Sequence, residues 1–221
     1  MLYLQDIGIR NFFFVGTKLA NLASYIFHPG LMPTALLAAL YFTSPYIVGI
    51  DGFSIYAKLI LLTFVFAYSF MFPSLFVFWL YKRQMVETYK LDKLRDRRLP
   101  YLFSVTSMGF ITYFFYQKGS ELHATSIILG FITLAIIVVA LVSLKWQISA
   151  HAAGIAGVLG AFFMLRIKFD EALLNVPFII ALITAGIILS ARLKLNAHTG
   201  MQVAAGFFVG LITSLIGALY I

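Results

Sequence analysis

The sequence predicts an all-α, polytopic membrane protein, in which residues 1–221 form one bundle of six to seven transmembrane helices. Hydrophobic residues make up 62% of the chain and charged residues only 11%, whereas soluble domains carry about 25% charged residues. Seven stretches without Asp, Glu, Lys or Arg each hold about the 20 apolar residues that a spanning helix needs. These stretches lack strict alternation of apolar and polar residues, which argues against a membrane β-barrel.

The seven stretches are 19–50, 59–81, 99–117, 122–144, 146–165, 172–191 and 195–221. The first of them is interrupted by the His-Pro-Gly sequence of residues 28–30 and by Pro33. Because proline suits the first turn of a helix and disrupts its middle, we expect this span to run from about Leu31 to about Ile50. An interfacial helix over residues 8–27, rich in Phe and Tyr, would precede it. The alternative is one tilted, kinked helix.

Small residues are expected to hold the helices together. Gly154, Gly157 and Gly160 lie near one face of the fifth stretch, and Gly206 and Gly210 share a face of the seventh. In lipid, small residues allow two helix backbones to approach closely, so these glycines predict helix packing. The chain contains no cysteine, which excludes disulfides and thiolate metal sites.

The chain is basic, with a formal net charge of +8. In a soluble protein this charge would indicate nucleic acid. Here the basic residues adjoin apolar segments, which favours the phosphate groups of membrane lipids as partners and excludes nucleic acid.

Polar residues form three clusters, at 82–98, 146–151 and 191–198. Two predicted spans separate the first cluster from the second, and two more separate the second from the third. All three clusters are therefore expected on the same side of the membrane. Together they offer two histidines, several Lys and Arg, and a Ser at a helix start.

That set of side chains suits phosphoryl transfer. Arg and Lys neutralise phosphate oxygens, Arg with two parallel N–H donors, and a helix N-terminus adds backbone N–H donors. One His can attack phosphorus while the other protonates the leaving oxygen. The clusters thus predict a phosphoryl-transfer site without metal or other cofactor.

The clusters resemble the type 2 phosphatidic acid phosphatase superfamily, which is related to the vanadium haloperoxidases. The family pattern is Lys, six residues, Arg-Pro; then Pro-Ser-Gly-His; then Ser-Arg, five residues, His, three residues, Asp. The corresponding residues in this chain are Lys90 and Arg97 for the first motif, Ser149, Ala150 and His151 for the second, and Arg192, His198 and Gln202 for the third.

The resemblance implies a role for each residue. His198 would be the nucleophile that forms a phosphohistidine, and His151 the acid that protonates the leaving group. The implied phosphate ligands are Lys90, Arg97, Arg192, Ser149 and the Ala150 N–H, with Arg98 replacing Arg97 if the register shifts by one.

Two departures from the family pattern bear on activity. Gln202 stands where the family has Asp, and Ala191 stands where it has Ser. Because Gln202 lies one turn beyond His198, we expect its carbonyl to accept the Nδ1 hydrogen bond without supplying negative charge. Neutralising the equivalent carboxylate of a serine protease lowers turnover about 10⁴-fold, so reduced or absent activity is the open alternative.

The resemblance implies a phosphatase acting on a lipid phosphate or an isoprenoid pyrophosphate, whose tail stays in the bilayer. The alternative is a catalytically silent relative that binds lipid head groups or joins a larger complex. A transporter is the third hypothesis, although the sequence lacks the internal repeat and mid-membrane charges expected of one.

The expected location is a bacterial inner membrane. On the predicted topology, 12 of the 16 Lys and Arg lie on the side of the polar clusters and 4 on the other. The positive-inside rule then favours a site that faces the cytoplasm. Many relatives act on the outer face of this membrane, which leaves the side open.

Overall fold

The structure is a computed structural model that describes residues 16–89, 91 and 93–221, and the regular structure of these residues is entirely helical. The α-helices are α1 Thr17–Ile26, α2 Met32–Thr43, α3 Ile55–Phe66, α4 Phe72–Lys82, α5 Arg98–Tyr116, α6 His123–Val142, α7 Ala150–Lys168, α8 Asn175–Lys194 and α9 Gly200–Leu219.

Within the described part of the chain, six segments are long and apolar enough to cross a membrane: Thr17–Thr43, Ile55–Lys82, Ser120–Val142, Ala150–Lys168, Ala172–Lys194 and Gly200–Leu219. α5 lies at the third predicted span and packs against α6. Apolar side chains cover the outside of the bundle, as on α8, where Val176, Ile180 and Ile183 are each about 60% exposed. The all-α polytopic fold is confirmed, and the chain is an integral membrane protein.

The first span differs from the prediction at both ends. A 3₁₀ turn at Pro29–Leu31 separates α1 from α2, so the chain forms two short helices here. α2 ends at Thr43 rather than near Ile50, because Pro45 disfavours helical geometry at the residue before it. Of the predicted interfacial helix, residues 8–15 lie outside the described residues, and the remainder forms α1.

α3 and α4 are one helix with a π-helical turn at Ala67–Met71. The wider turn is followed by Pro73, which cannot donate a backbone hydrogen bond. Ser107 of α5 donates its hydroxyl hydrogen to the Tyr68 carbonyl at 2.6 Å. The turn therefore fastens this helix to α5 and brings Ser69 and Phe70 toward the interior.

α7 lies in the middle of the bundle and contacts α9 most closely. A Cβ added to Gly206 would lie 2.3 Å from the Ser149 oxygen, and one added to Gly210 would lie 1.9 Å from the Ala153 oxygen. A Cβ at Gly160 would lie 2.2 Å from the Ser214 hydroxyl. These backbones can meet only because glycine has no side chain, so glycine packing of α7 on α9 is confirmed.

Candidate functional site

A cavity of about 820 Å³ opens at one end of the bundle, where the three polar clusters meet. Arg97 from the first cluster, His151 from the second, and Arg192 and His198 from the third all line it. The described lining residues include no Asp or Glu. The end of the cavity where the polar clusters meet is therefore cationic, as an anion-binding site requires.

His198 lies in the turn between α8 and α9 and is only 9% exposed. Its Nδ1 lies 3.0 Å from the Gln147 carbonyl oxygen. Because a carbonyl can only accept, Nδ1 carries the hydrogen and Nε2 keeps its lone pair. Burial, with the nearby charges of Arg192 and Arg97, lowers the pKa of His198 from 6.5 to about 4. The imidazole is neutral at pH 7 and presents a nucleophilic nitrogen.

Gln202 caps the start of α9. Its side-chain Oε1 accepts from the Thr199 N–H at 2.9 Å, and the Thr199 hydroxyl accepts from the Gln202 N–H at 3.4 Å. This is a capping box, which satisfies backbone donors at the start of the helix. The Gln202 side chain also hydrogen-bonds to His198 and partly offsets the lowering of its pKa. The main-chain oxygen of Gln147 lies at 3.0 Å from His198 Nδ1, and the orienting role expected of Gln202 stays a prediction.

Ser149, an expected phosphate ligand, caps α7 and does not line the cavity. Its side chain is fully buried and its Oγ accepts from the Ala152 N–H at 3.3 Å. Its own N–H donates to the Gln202 carbonyl at 3.2 Å. Ser149 thus joins the N-termini of α7 and α9, while Ala150 lines the cavity.

His151 lies in the first turn of α7. Its Nε2 is 3.0 Å from the Ser24 carbonyl oxygen and therefore donates to it. Ser24 belongs to the last turn of α1, where helix carbonyls have no partner within the helix. Arg192 Nη1 donates to the hydroxyl of the same Ser24 at 3.3 Å. α1 thereby contacts both the expected acid and an expected phosphate ligand.

The first cluster contributes Tyr89, Leu91 and Arg97 to the cavity among the residues that the structure describes. Arg97 lines it, and its Nε donates to the Leu91 carbonyl at 2.7 Å. Arg98, the substitute for Arg97 if the register shifts by one, is exposed and does not line the cavity. Lys90, the expected first-motif ligand, lies outside the described residues.

His28 was not expected at the site. It lines the cavity with its ring 5.9 Å from that of His151 and 5.3 Å from that of Phe70. Its Nδ1 accepts from the Gly30 N–H at 3.1 Å, which leaves the hydrogen on Nε2. The signal in the sequence was His-Pro-Gly, a polar side chain that caps a proline-led turn.

Among the described residues, no group of three His, Asp or Glu side chains is placed to hold a metal ion. The arrangement offers a neutral nucleophilic imidazole, two further imidazoles and two guanidinium groups around one cavity. Such a set can bind a tetrahedral oxyanion and transfer its phosphoryl group through nitrogen.

No family model, no curated protein and no solved structure matches this chain. Its function is therefore argued from the geometry of the cavity.

Proposed function

We propose that the protein is a lipid phosphatase that cleaves a lipid phosphate or lipid pyrophosphate through a phosphohistidine on His198. One observation carries the proposal: Arg97, His151, Arg192 and His198, from segments far apart in the sequence, line one cavity at the end of an apolar bundle. The Gln147 carbonyl holds His198 in the tautomer that leaves Nε2 free to attack.

The reaction has two steps. In the first, His198 Nε2 forms a bond to phosphorus while the bond from phosphorus to the lipid oxygen breaks, and the imidazolium of His151 protonates that oxygen. In the second step, water attacks the phosphorus of the phosphohistidine, and His151 takes a proton from that water. The bond between phosphorus and His198 Nε2 breaks, and phosphate leaves. Arg97 and Arg192 stabilise the charge on the phosphoryl oxygens in both steps.

His151 can keep its hydrogen bond to α1 during this reaction. Its Nε2–H donates to the Ser24 carbonyl at 3.0 Å, and the imidazolium form carries a second hydrogen on Nδ1 that passes to the leaving oxygen. The bound phosphate supplies negative charge beside His151, which favours the imidazolium form needed for proton donation. Substrate binding and protonation of His151 are therefore coupled.

The proposal is tested by phosphate release from a panel of detergent-solubilised lipid phosphates and pyrophosphates. We expect release by the wild type and none by His198→Ala, with a labelled phosphohistidine trapped only when His198 is present. His123→Ala is the matched control, since His123 is exposed and does not line the cavity. Vanadate, which mimics the pentacoordinate phosphoryl group, should inhibit. Equal release by the wild type and His198→Ala would contradict the proposal.

A second function is favoured by three contacts. The acceptor on His198 is a neutral carbonyl, and α1 occupies both His151 and Arg192 through Ser24. A protein that binds lipid head groups without cleaving them would have these features. Binding of lipid phosphates with no release and no phosphohistidine would support this second function.

We further propose that the site faces the cytoplasm of a bacterial inner membrane. The support is the bias of Lys and Arg toward the ends of the helices that carry the site.

A further inference from the structure

The cavity does not end beneath His198. Along α7 its wall is formed in turn by His151, Gly154, Gly157, Ala161 and Leu165. These residues follow one face of the helix from its first turn to its last. At 1.5 Å per residue they cover about 21 Å, most of the thickness of a bilayer core.

The wall changes from polar to apolar along this path. Beyond the cationic end it is built from side chains such as Met108 of α5, Ile132 and Ile136 of α6, and Ala218 of α9. Two hydroxyl residues, Thr213 and Ser214, also line it. Each donates to a carbonyl of its own helix, Thr213 to Val209 and Ser214 to Leu211, so neither needs a polar ligand.

The size and lining of this cavity are those of a ligand-binding site. Protein interiors are closely packed, and few voids exceed the size of a water molecule, whereas this cavity measures about 820 Å³. Sites for small ligands hold roughly 300–1,000 Å³. An apolar passage that is continuous with a cationic end matches an amphiphile with an anionic head and a hydrocarbon tail.

We propose that the apolar part of the cavity is a channel for one linear hydrocarbon chain of the lipid, which leaves the bilayer and enters the bundle. The passage follows a single helix face, and α7 and α9 meet backbone to backbone beside it at Gly210, which bounds the passage on that side. This inference uses the proposed function only to place the phosphate at His198. It replaces the expectation that the tail stays in lipid.

The test uses n-alkyl phosphonates from butyl to tetradecyl, whose carbon–phosphorus bond resists hydrolysis, with the full chain held in amphipol and no free detergent. Equilibrium binding is measured below the concentration at which each probe forms micelles. Each added methylene should tighten binding about fourfold on transfer from water to an apolar channel. A dialkylglycerol phosphonate should bind more weakly than the single-chain probe of equal tail length.

Gly157→Leu should shorten the channel. A Cβ at Gly157 meets nothing nearer than the Gly210 oxygen at 3.8 Å, so the added side chain has room to enter the cavity. Affinity should then stop increasing with each added methylene once the tail reaches about 10 Å below Ala150. Gly186→Leu on α8 is the matched control, because Gly186 is exposed with nothing within 4 Å of an added Cβ.

Ala135→Phe blocks the same depth from α6 and gives a second variant should Gly157→Leu fold poorly. The channel is supported if affinity stops increasing with tail length in both blocked variants and continues to increase in the control. A wild type whose affinity ignores tail length, or variants that match the control, would overturn it. The outcome is separate from catalysis: a normal methylene gain with no phosphate release from any lipid would reject the phosphatase and keep the channel.

Discussion

His198 Nδ1 donates to the main-chain carbonyl of Gln147 at 3.0 Å. The two residues belong to different polar clusters, and the acceptor at that distance is a main-chain atom. A carbonyl fixes the tautomer as a carboxylate would, but it adds no negative charge to stabilise an imidazolium. This hydrogen bond therefore orients the His198 ring without supplying charge to it.

Gln202→Asp should not raise phosphate release, because the Gln202 side chain caps α9 and the Gln147 carbonyl already orients the His198 ring. Gln202→Ala should lower thermal stability by about 1 kcal/mol through loss of the capping box. Activity per folded molecule should change less than tenfold. Unfolding temperature and phosphate release are measured on the same preparations, with Gln202→Glu, which keeps the cap, as control. A large gain from Asp would mean that a negative charge at residue 202 stabilises the imidazolium.

Acid should destabilise the protein through His198. Its pKa is about 4 in the folded protein and 6.5 when unperturbed, chiefly because the ring is buried. Below pH 6.5 the unfolded chain therefore binds the proton more readily, and the stabilising contribution present above pH 6.5 is lost as pH falls toward 4. The unfolding temperature of His198→Gln should fall less steeply over this window than that of the wild type. Parallel curves would contradict the lowered pKa.

Ser24→Ala should tighten phosphate binding. The Ser24 hydroxyl accepts from Arg192 Nη1 and so competes with a phosphate oxygen for that donor. Its removal should lower KM several-fold, corresponding to about 1 kcal/mol, and leave kcat nearly unchanged because the Ser24 carbonyl at His151 remains. Steady-state kinetics measure both values, with Ser120→Ala at the far end of the bundle as control. An increased KM would show that Ser24 helps to bind the head group.

Gly206→Ala should disturb the site by changing the contact between α7 and α9. The added Cβ would lie 2.3 Å from the Ser149 oxygen, which forces α7 and α9 apart and costs about 1–3 kcal/mol. Gly186→Ala meets nothing within 4 Å and should be neutral or slightly stabilising, since Ala favours helix over Gly. Thermal unfolding distinguishes the pair. Equal stability of the two variants would show that the helix contact is looser than described.

The side of the membrane can be determined with single cysteines, because the chain has none of its own. Lys145→Cys marks the end that carries the site, and Lys118→Cys marks the opposite end; both positions are exposed. If the site faces the cytoplasm, a membrane-impermeant maleimide should label Lys118→Cys in intact cells and Lys145→Cys only after the membrane is opened. The reverse pattern would place the site outside.

The sequence was sufficient to predict the structure where one physical property dominates. Long apolar stretches specify helices in lipid, and Gly206 and Gly210 marked the contact of α7 with α9. It was insufficient where a local contact competes with a family pattern. Ser149 resembled a phosphate ligand and Gln202 resembled a partner of His198. Both lie at helix starts, where capping satisfies backbone donors that burial would otherwise leave unpaired. His28 has no motif and reaches the cavity only because the turn at Pro29–Leu31 packs against the π-helical turn.

The meeting of α7 and α9 at Gly206 and Gly210 has a consequence for the chemistry of His198. The position of this imidazole depends on side-chain atoms that α9 lacks, two and three turns into the helix. A larger side chain at either glycine would separate the two helices and, with them, the imidazole and the Gln147 carbonyl that it contacts. The tautomer of His198 is therefore controlled by the spacing of two helix backbones as well as by one hydrogen bond.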